Sequence, residues 1–256
     1  MKILQSLKTL YESFIDKLFP TDIKCLLCGR DLPDNNFFCE KCEEEDIYNE
    51  GPRCVKCDTM IKEENLICDD CKNSHRYFEK CYCPLNYNAK VRSAILKFKD
   101  DNARFYAKPF AELIYNRIKD ENLQIDFIMP VPSHKNVIKR RGYNPPELIA
   151  KELALIMHLP VKQALIKNVD TTAQKTLSYQ ERQDNLRDSI TRDRKIDIKG
   201  KSILIVDDVI TTCATVNACA LLLQKSKVVY ACAVARTTKD WRTPMTQSQE
   251  KDKLGV

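Results

Sequence analysis

The chain has 256 residues, 43% of them hydrophobic, and a formal net charge of +6 at pH 7. This length and composition support one small and one medium domain, each with its own core. No apolar run approaches the ~18 residues that a membrane-spanning helix needs, so we expect no membrane span. The mildly basic charge is consistent with phosphate-bearing ligands but is too small to identify a partner.

Residues 1–19 are predicted to form an amphipathic helix that ends before Pro20. Apolar residues recur there at helical spacing, among them Leu7, Phe14 and Leu18. Charged residues interrupt the segment, so it lacks the pattern of a signal peptide. We expect this helix to pack on the rest of the protein, with a membrane surface or a partner as the alternative.

The cysteines are concentrated near the amino terminus, where ten of the 13 precede residue 84. Eight of them form four CxxC pairs that repeat with a period of 29 residues, namely Cys25/Cys28, Cys39/Cys42, Cys54/Cys57 and Cys68/Cys71. Each CxxC places two thiolates on one metal, and two such pairs complete a closed tetrahedral site, which is typical of structural zinc. Since no secretory signal precedes the pairs, we expect one or two zinc ions rather than disulfides, and a cytoplasmic protein.

The four pairs can be combined in two ways. Sequential pairing gives one site within each repeat, whereas crossed pairing joins the first CxxC to the third, and the spacing allows both. We assign residues 20–83 to a small Cys₄ zinc-finger domain, in which the metal replaces a hydrophobic core. Cys81 and Cys83 follow the repeats and are predicted to pack where the domains join rather than to bind metal.

From residue 84 to 237 the pattern changes to alternating helices and strands. This alternation predicts an α/β domain with a parallel sheet and right-handed crossovers. The polar stretch 168–194 is too long for a simple connection, and such segments are often functional. Residues 238–256 lack an apolar period and are predicted to be a disordered tail. The predicted helices are 91–98, 105–118, 145–157 and 215–224, and the predicted strands are 127–131, 161–166, 203–206 and 228–235.

The stretch 203–215 has the clearest functional pattern. Four branched apolar residues, 203–206, predict a strand that is buried on both faces, as in a parallel sheet. Asp207 and Asp208 follow at the carboxyl end of this strand, where open α/β sheets bind their ligands. Small and hydroxylated residues then lead into a helix and can offer hydroxyl and backbone N–H donors to a phosphate.

This stretch resembles the phosphoribosyl-pyrophosphate (PRPP) binding motif of type I phosphoribosyltransferases. The resemblance implies a parallel sheet flanked by helices, with Asp207 and Asp208 as the catalytic-site acids that contact the ribose 2′ and 3′ hydroxyls. It also implies that PRPP binds together with Mg²⁺. The loop that wraps the 5′-phosphate would consist of Val209, Ile210, Thr211, Thr212, Cys213, Ala214 and Thr215.

Cys213 departs from that family, which usually has Gly at this position. If the loop needs a positive φ, Cys costs about 1–2 kcal/mol relative to Gly. Nearby backbone N–H groups would lower the pKa of the Cys213 thiol, although the residue can also serve simply as a small side chain.

Further segments are similar to the ComF family of competence-associated proteins, which joins a zinc-finger segment to a phosphoribosyltransferase domain. The resemblance extends over residues 18–237. One departure is Pro145, where the family often has Gln. The matching residues are Leu18–Pro20, Lys97–Lys99, Pro130–His134, Lys139–Asn144, Gln174, Leu177, Arg182 and Asn185.

The family comparison implies roles for several of these residues. Residues 130–134 would form the pyrophosphate loop, with His134 as a capping residue or, alternatively, a general base. Arg140 and Arg141 would bind phosphates or a nucleic-acid backbone, unless they form only a solvated basic face. Arg182 would clamp a phosphate from a hood over the site. Tyr143 would pack or, alternatively, stack on a base.

Three functions remain open on this reading. The resemblance favours a competence protein that binds PRPP or a related nucleotide and assists uptake or processing of single-stranded DNA, with a helicase as a partner. The first alternative is an active Mg²⁺-dependent phosphoribosyltransferase for an unidentified base, although no segment indicates a base pocket. The second alternative is a zinc-ribbon nucleic-acid binder.

Overall fold

The computed structural model of the chain describes residues 24–33, 36–62, 65–169 and 189–237. Contacts divide the chain into two compact units, residues 1–45 and 46–256. The first cysteine repeat belongs to the first unit, whereas the second repeat belongs to the unit that holds the sheet; the domain boundaries derived from the sequence stay a prediction. The predicted amino-terminal helix and carboxyl-terminal tail lie outside the described residues.

The two cysteine repeats fold alike, each as a ribbon with a tight knuckle. In each repeat the residue four positions after the first cysteine has a positive φ, +74° at Gly29 and +58° at Asp58. The amides of these residues donate to the carbonyls of Cys25 and Cys54 at 2.8 and 3.0 Å. A short helix follows in each repeat, α1 (Glu40–Glu43) and α2 (Asp69–Lys72).

The second unit is built on a five-stranded sheet in which every pairing is parallel. The strand order is β1–β7–β6–β3, and β2 also pairs with β7. A separate antiparallel pair is formed by β4 and β5. The strands are β1 (Cys81–Tyr82), β2 (Leu85–Asn86), β3 (Phe127–Pro130), β4 (Leu165–Lys167), β5 (Ile190–Arg192), β6 (Ser202–Ile210) and β7 (Val228–Arg236).

Five helices accompany the sheet, and four of them are predicted by the apolar spacing. Asn88 caps α3, since its side-chain oxygen accepts from the amide of Val91 at 2.9 Å. Among the described residues, no helix is both long enough and apolar enough to cross a membrane. The helices are α3 (Ala89–Asp100), α4 (Ala107–Ile118), α5 (Lys135–Arg141), α6 (Pro145–Met157) and α7 (Ala214–Leu221), and a 3₁₀ helix spans Arg104–Tyr106.

Different layers cover the two faces of the sheet. Side chains alternate along β6, and Ile203 and Ile205 belong to one apolar cluster with Val216 of α7 and Cys57 of the second ribbon. On the helical side, α6 packs on β3 and β6, and α4 packs on α6 and β7. The second ribbon is therefore part of the layer that buries one face of the sheet. Because helices cover the other face, residues 203–206 of β6 are apolar on both faces.

Candidate functional site

The acid pair lies within β6 rather than after it. The sequence pattern predicted a strand that ends at residue 206, but β6 continues to Ile210 because Val209 and Ile210 pair with Ala235 and Arg236 of β7. Asp207 and Asp208 are consecutive strand residues, so their side chains point to opposite faces of the sheet. Asp207 faces the side of α7 and the second ribbon, and Asp208 faces the side of the other helices.

Asp208 forms a buried ion pair with Lys99 of α3. Lys99 Nζ lies 2.7 Å from Asp208 Oδ1, and the two side chains are 20% and 12% exposed. Burial alone would lower the pKa of Lys99, but the charge of Asp208 raises it above its usual value. Lys99 belongs to the Lys97–Lys99 segment of the ComF resemblance, and its position here gives that segment a physical role.

Asp207 has a perturbed carboxyl group. Desolvation and the neighbouring charge of Asp208 raise the pKa of Asp207 to about 7, while Lys99 opposes them. Its Oδ1 accepts from the amide of Asp208 at 2.8 Å. Perturbed acids concentrate at functional sites, and a carboxylate that titrates near neutrality can respond to a bound ligand.

A short loop connects the acid pair to α7. Val209 and Ile210 belong to the strand, and residues 211–213 form the turn before α7 begins at Ala214. Thr211 and Thr212 are exposed, and Thr212 Oγ1 accepts from the Ala214 amide at 3.4 Å. The amides at the start of a helix, with two exposed hydroxyls beside them, form a suitable environment for a phosphate.

Cys213 has the left-handed conformation that favours Gly. Its φ is +64° and its ψ is 5°, so the residue has the strain anticipated at this position. The expectation of a lowered thiol pKa is wrong. The neighbouring thiols of Cys57 and Cys81, together with burial, raise the pKa of Cys213 well above its usual value. With 3% exposure, Cys213 serves as a small packing residue against the second ribbon.

The segment predicted as the pyrophosphate loop is held by Asn144. Asn144 Nδ2 donates to the Val131 carbonyl at 3.0 Å, and Ser133 Oγ donates to Asn144 Oδ1 at 2.7 Å. His134 caps α5, because its Nδ1 accepts from the Asn136 amide at 3.3 Å. The capping role of His134 therefore agrees with the structure, and the role of Asn144 is one that the sequence reasoning missed.

The residues before Asn144 have structural roles. Gly142 ends α5 with a φ of +80°. Tyr143 is 6% exposed, its hydroxyl donates to the Phe98 carbonyl, and the Arg104 guanidinium lies 4.7 Å from its ring centre. Tyr143 therefore packs, as predicted, and is not available to stack on a base.

The predicted basic residues fall into three groups. Arg141 forms an ion pair with Asp100 at 3.0 Å. Arg140 is exposed at the end of α5, next to exposed Lys139. Arg182 lies outside the described residues, as do Gln174, Leu177 and Asn185.

The eight repeat cysteines form two clusters with sequential pairing, Cys25, Cys28, Cys39 and Cys42 in one and Cys54, Cys57, Cys68 and Cys71 in the other. All four Sγ atoms of a cluster lie within 4.8 Å of one another. The Cys57–Cys68 and Cys28–Cys39 Sγ distances are 3.5 and 3.7 Å. A tetrahedral Zn²⁺ with bonds of ~2.3 Å needs sulfur atoms ~3.8 Å apart, so both clusters fit structural zinc. Cys81 and Cys83 are fully buried outside both clusters, which agrees with packing.

A cavity of about 420 Å³ adjoins the predicted pyrophosphate loop. Ser133, His134 and Lys135 form one wall, and Gln163 and Lys167 form part of the opposite wall. The cavity is not evident from the sequence, because the two walls are about 30 residues apart and come together only through the fold.

Comparisons with known proteins agree with this architecture. A double zinc ribbon domain model matches residues 14–72, and a phosphoribosyl transferase domain model matches residues 102–252. The second match covers more than half of the sequence, so the chain belongs to the phosphoribosyltransferase domain family.

Individual relatives refine this assignment. Competence protein F of Haemophilus influenzae is 31% identical over 138 residues, which are 51% of this chain and 60% of that protein. DNA utilization protein YhgH of Escherichia coli K12 is 31% identical over 102 residues, 40% of this chain and 44% of that protein. The chain thus spans about half the length of the curated relatives it matches. A double zinc ribbon ahead of a phosphoribosyltransferase domain, with similarity to competence protein F, is the arrangement of a ComF-family protein.

Solved phosphoribosyltransferase structures resemble the chain only distantly. The hypoxanthine phosphoribosyl transferase of Trypanosoma cruzi matches with 15% identity and a TM-score of 0.33, over 58% of this chain and 71% of that one. A likeness at this level has no bearing on the substrate of the chain.

Proposed function

We propose that the chain binds PRPP or a related nucleotide at the carboxyl edge of its sheet. The observation that carries the proposal is the sequence of an acid pair, a three-residue loop and a helix start within Asp207–Ala214. Ribose hydroxyls donate to carboxylates, and amides at a helix start donate to the oxygens of a 5′-phosphate. One continuous segment can therefore bind both ends of a phosphorylated ribose.

Mg²⁺ is part of this proposal. The ion is bound through one or two carboxylates and the oxygens of a ligand, and it keeps several of its waters. Asp207 is the acid that can contribute, because Asp208 is already paired with Lys99. The pyrophosphate of PRPP would supply the remaining oxygens.

The biological role that we propose is assistance with single-stranded DNA during natural transformation. The names of the relatives, competence protein F and DNA utilization protein, motivate this role. Phe105 is 71% exposed, and its neighbour Arg104 donates to the Gly142 carbonyl at 3.4 Å, next to the basic end of α5. An exposed aromatic ring and the exposed cation of Arg140 suit single strands, whose bases stack while cations contact their phosphates.

The zinc ribbons suit a docking role for a partner such as a competence helicase. Closed Cys₄ sites have no open position for substrate, so their contribution is a folded surface. Free cysteines arranged for metal need a reducing compartment, which favours the cytoplasm.

The second candidate is an active phosphoribosyltransferase, and the cavity beside Ser133 and His134 favours it. A base in the cavity would attack C1 of PRPP through a ring nitrogen, a C–N bond would form, and the C1–O bond to pyrophosphate would break. Pyrophosphate would leave, and the proton of the ring nitrogen would pass to it or to solvent. Asp207 would orient the sugar rather than attack it, and rate enhancement would come from positioning and electrostatics.

Calorimetric titration with PRPP and Mg²⁺ tests the first proposal. Hydrogen bonds to charged groups contribute about 1.5–3 kcal/mol each, so Asp207→Asn/Asp208→Asn should lose about a hundredfold in affinity. Asp120→Asn is the matched control, because Asp120 is an exposed acid in the connection that leads to the amino end of β3. Thermal unfolding in parallel verifies that each variant is folded.

The outcomes separate the candidates. No binding by the wild type contradicts PRPP as the ligand, and equal binding by the acid variant excludes the proposed site. Turnover in a screen of bases would establish the enzyme. Salt-dependent binding of a labelled single strand that Arg140→Ala leaves unchanged, without any PRPP binding, would favour the zinc-ribbon nucleic-acid binder.

A further inference from the structure

Arg236, the last residue of β7, occupies an unusual position for a charged side chain. It is 4% exposed, yet no carboxylate is among its hydrogen-bond partners in the described part of the chain. Its guanidinium instead contacts backbone carbonyls and one sulfur. A buried guanidinium is costly unless its N–H groups are satisfied, so these contacts define its role.

One side of the guanidinium contacts the second zinc ribbon. Nε donates to the Cys57 carbonyl at 2.8 Å, and Nη2 lies 3.5 Å from Cys57 Sγ. Cys57 is a member of the second cysteine cluster, which fits zinc. Four thiolates around one Zn²⁺ have a net charge of about −2, and a cation at a ligand sulfur offsets part of it.

The other side of the same guanidinium contacts the start of the phosphate loop. Nη1 donates to the Ile210 carbonyl at 3.0 Å and also to the Thr211 carbonyl. Ile210 is the last residue of β6, and Thr211 begins the turn that contains the strained Cys213. The Cys213 side chain itself lies beside Cys57 in one apolar cluster. Two contacts thus join the loop to a single ribbon cysteine.

We propose that Arg236 is a positioning residue that couples zinc binding in the second ribbon to the shape of the phosphate loop. This inference rests on the proposed sugar-phosphate function of that loop. When the second cluster holds zinc, Cys57 is fixed, and Arg236 and Cys213 hold residues 210–213 in place. Without zinc, the rigidity of the Cys57 knuckle is lost, and the loop is released.

Arg76 provides a matched control. Its Nε lies 3.3 Å from Cys71 Sγ of the same cluster, and its Nη2 lies 3.4 Å from the Asp70 carbonyl. Both arginines therefore contact a ligand sulfur of one site, but only Arg236 is hydrogen-bonded to the loop carbonyls. Arg76→Gln and Arg236→Gln remove the same kind of charge and differ in that contact.

Hydrogen exchange of the amides of residues 211–215 in the full chain is the primary test. We expect exchange to accelerate at least about tenfold when a chelator removes the second zinc, and equally in zinc-loaded Arg236→Gln. Arg76→Gln with zinc bound should exchange within about twofold of the wild type. Zinc content, measured with a colorimetric chelator, is determined for every sample.

Two results would overturn the proposal. One is unchanged exchange in zinc-loaded Arg236→Gln, and the other is equal acceleration in Arg76→Gln, which would make the effect a consequence of ribbon damage alone. If Arg236→Gln does not fold, Arg236→Lys replaces it in the same comparison with Arg76→Gln. The exchange test needs no PRPP, so a failure of PRPP binding contradicts the proposed function without affecting this result.

Discussion

The ion pair between Lys99 and Asp208 leads to a quantitative prediction about stability. At 2.7 Å and an effective dielectric constant of ~20, the attraction is about 6 kcal/mol before desolvation is subtracted. Removing one partner of a buried pair costs about 3–5 kcal/mol, and the residual exposure of 20% and 12% places this pair at or below the lower end. Lys99→Met should therefore lower the free energy of unfolding by about 2–3 kcal/mol.

The double variant tests whether the loss of stability comes from leaving one charge buried without its partner. Lys99→Met/Asp208→Asn leaves no unpaired charge, so it should recover to within about 1 kcal/mol of the wild type. Lys97→Met is the control, because Lys97 is exposed on the same helix and should change stability by less than about 0.5 kcal/mol. Urea unfolding followed by circular dichroism measures five proteins: the wild type, the single variants Lys99→Met, Asp208→Asn and Lys97→Met, and the double variant. A loss below about 0.5 kcal/mol in Lys99→Met, or a double variant as unstable as the sum of the singles, would refute the reasoning.

Three further predictions concern the site, the metal and the backbone. A pKa of about 7 leaves Asp207 mostly ionised at pH 8 and mostly protonated at pH 6. Because protonation removes a hydrogen-bond acceptor, PRPP affinity should fall about tenfold as the pH is lowered from 8 to 6. Titration of PRPP itself cancels when the wild type is compared with Asp207→Asn, which should lack the Asp207 contribution. Zinc should leave the first cluster before the second during chelation, because Cys28 is exposed whereas Cys54 and Cys57 are buried; release in the opposite order contradicts this. Gly142→Ala should destabilise by about 1–2 kcal/mol in thermal unfolding, because φ is +80° and the added Cβ would lie 3.2 Å from Arg104 Nη2.

The regular elements were largely predictable from the sequence because their signals are local. The 3.6-residue period of α6 and the Pro at its start predict a helix over 145–157, which the structure has with the same bounds. The zinc clusters follow from CxxC spacing in the same way. The choice between sequential and crossed pairing could be made only from the three-dimensional structure, because both pairings satisfy the spacing equally well.

The parts of the site that were not predictable depend on long-range pairing. The extension of β6 through Asp207 and Asp208 exists because β7 provides partners for Val209 and Ile210, and no local pattern encodes that. The same extension places the two acids on opposite faces, whereas the sequence suggested a pair that acts together. Arg236 was also missed, because a cation at the end of an apolar strand usually indicates that the strand has reached solvent.

The second ribbon is part of the sheet domain in physical terms, and Asp58 is the clearest reason. Asp58 follows Cys57, is 2% exposed, accepts from the Cys83 amide at 2.7 Å and lies 3.3 Å from Arg117 of α4. Burial outweighs these partners and raises the pKa of Asp58. Asn217 of α7 adds a second connection, since its Oδ1 accepts from the Tyr77 amide at 2.8 Å just beyond the repeat.

A metal site that is connected to the core through buried polar groups cannot unfold alone without leaving those groups unsatisfied. Loss of the second zinc should therefore weaken the sheet unit itself. The two ribbons fold alike, but only the second belongs to the unit that holds the sheet.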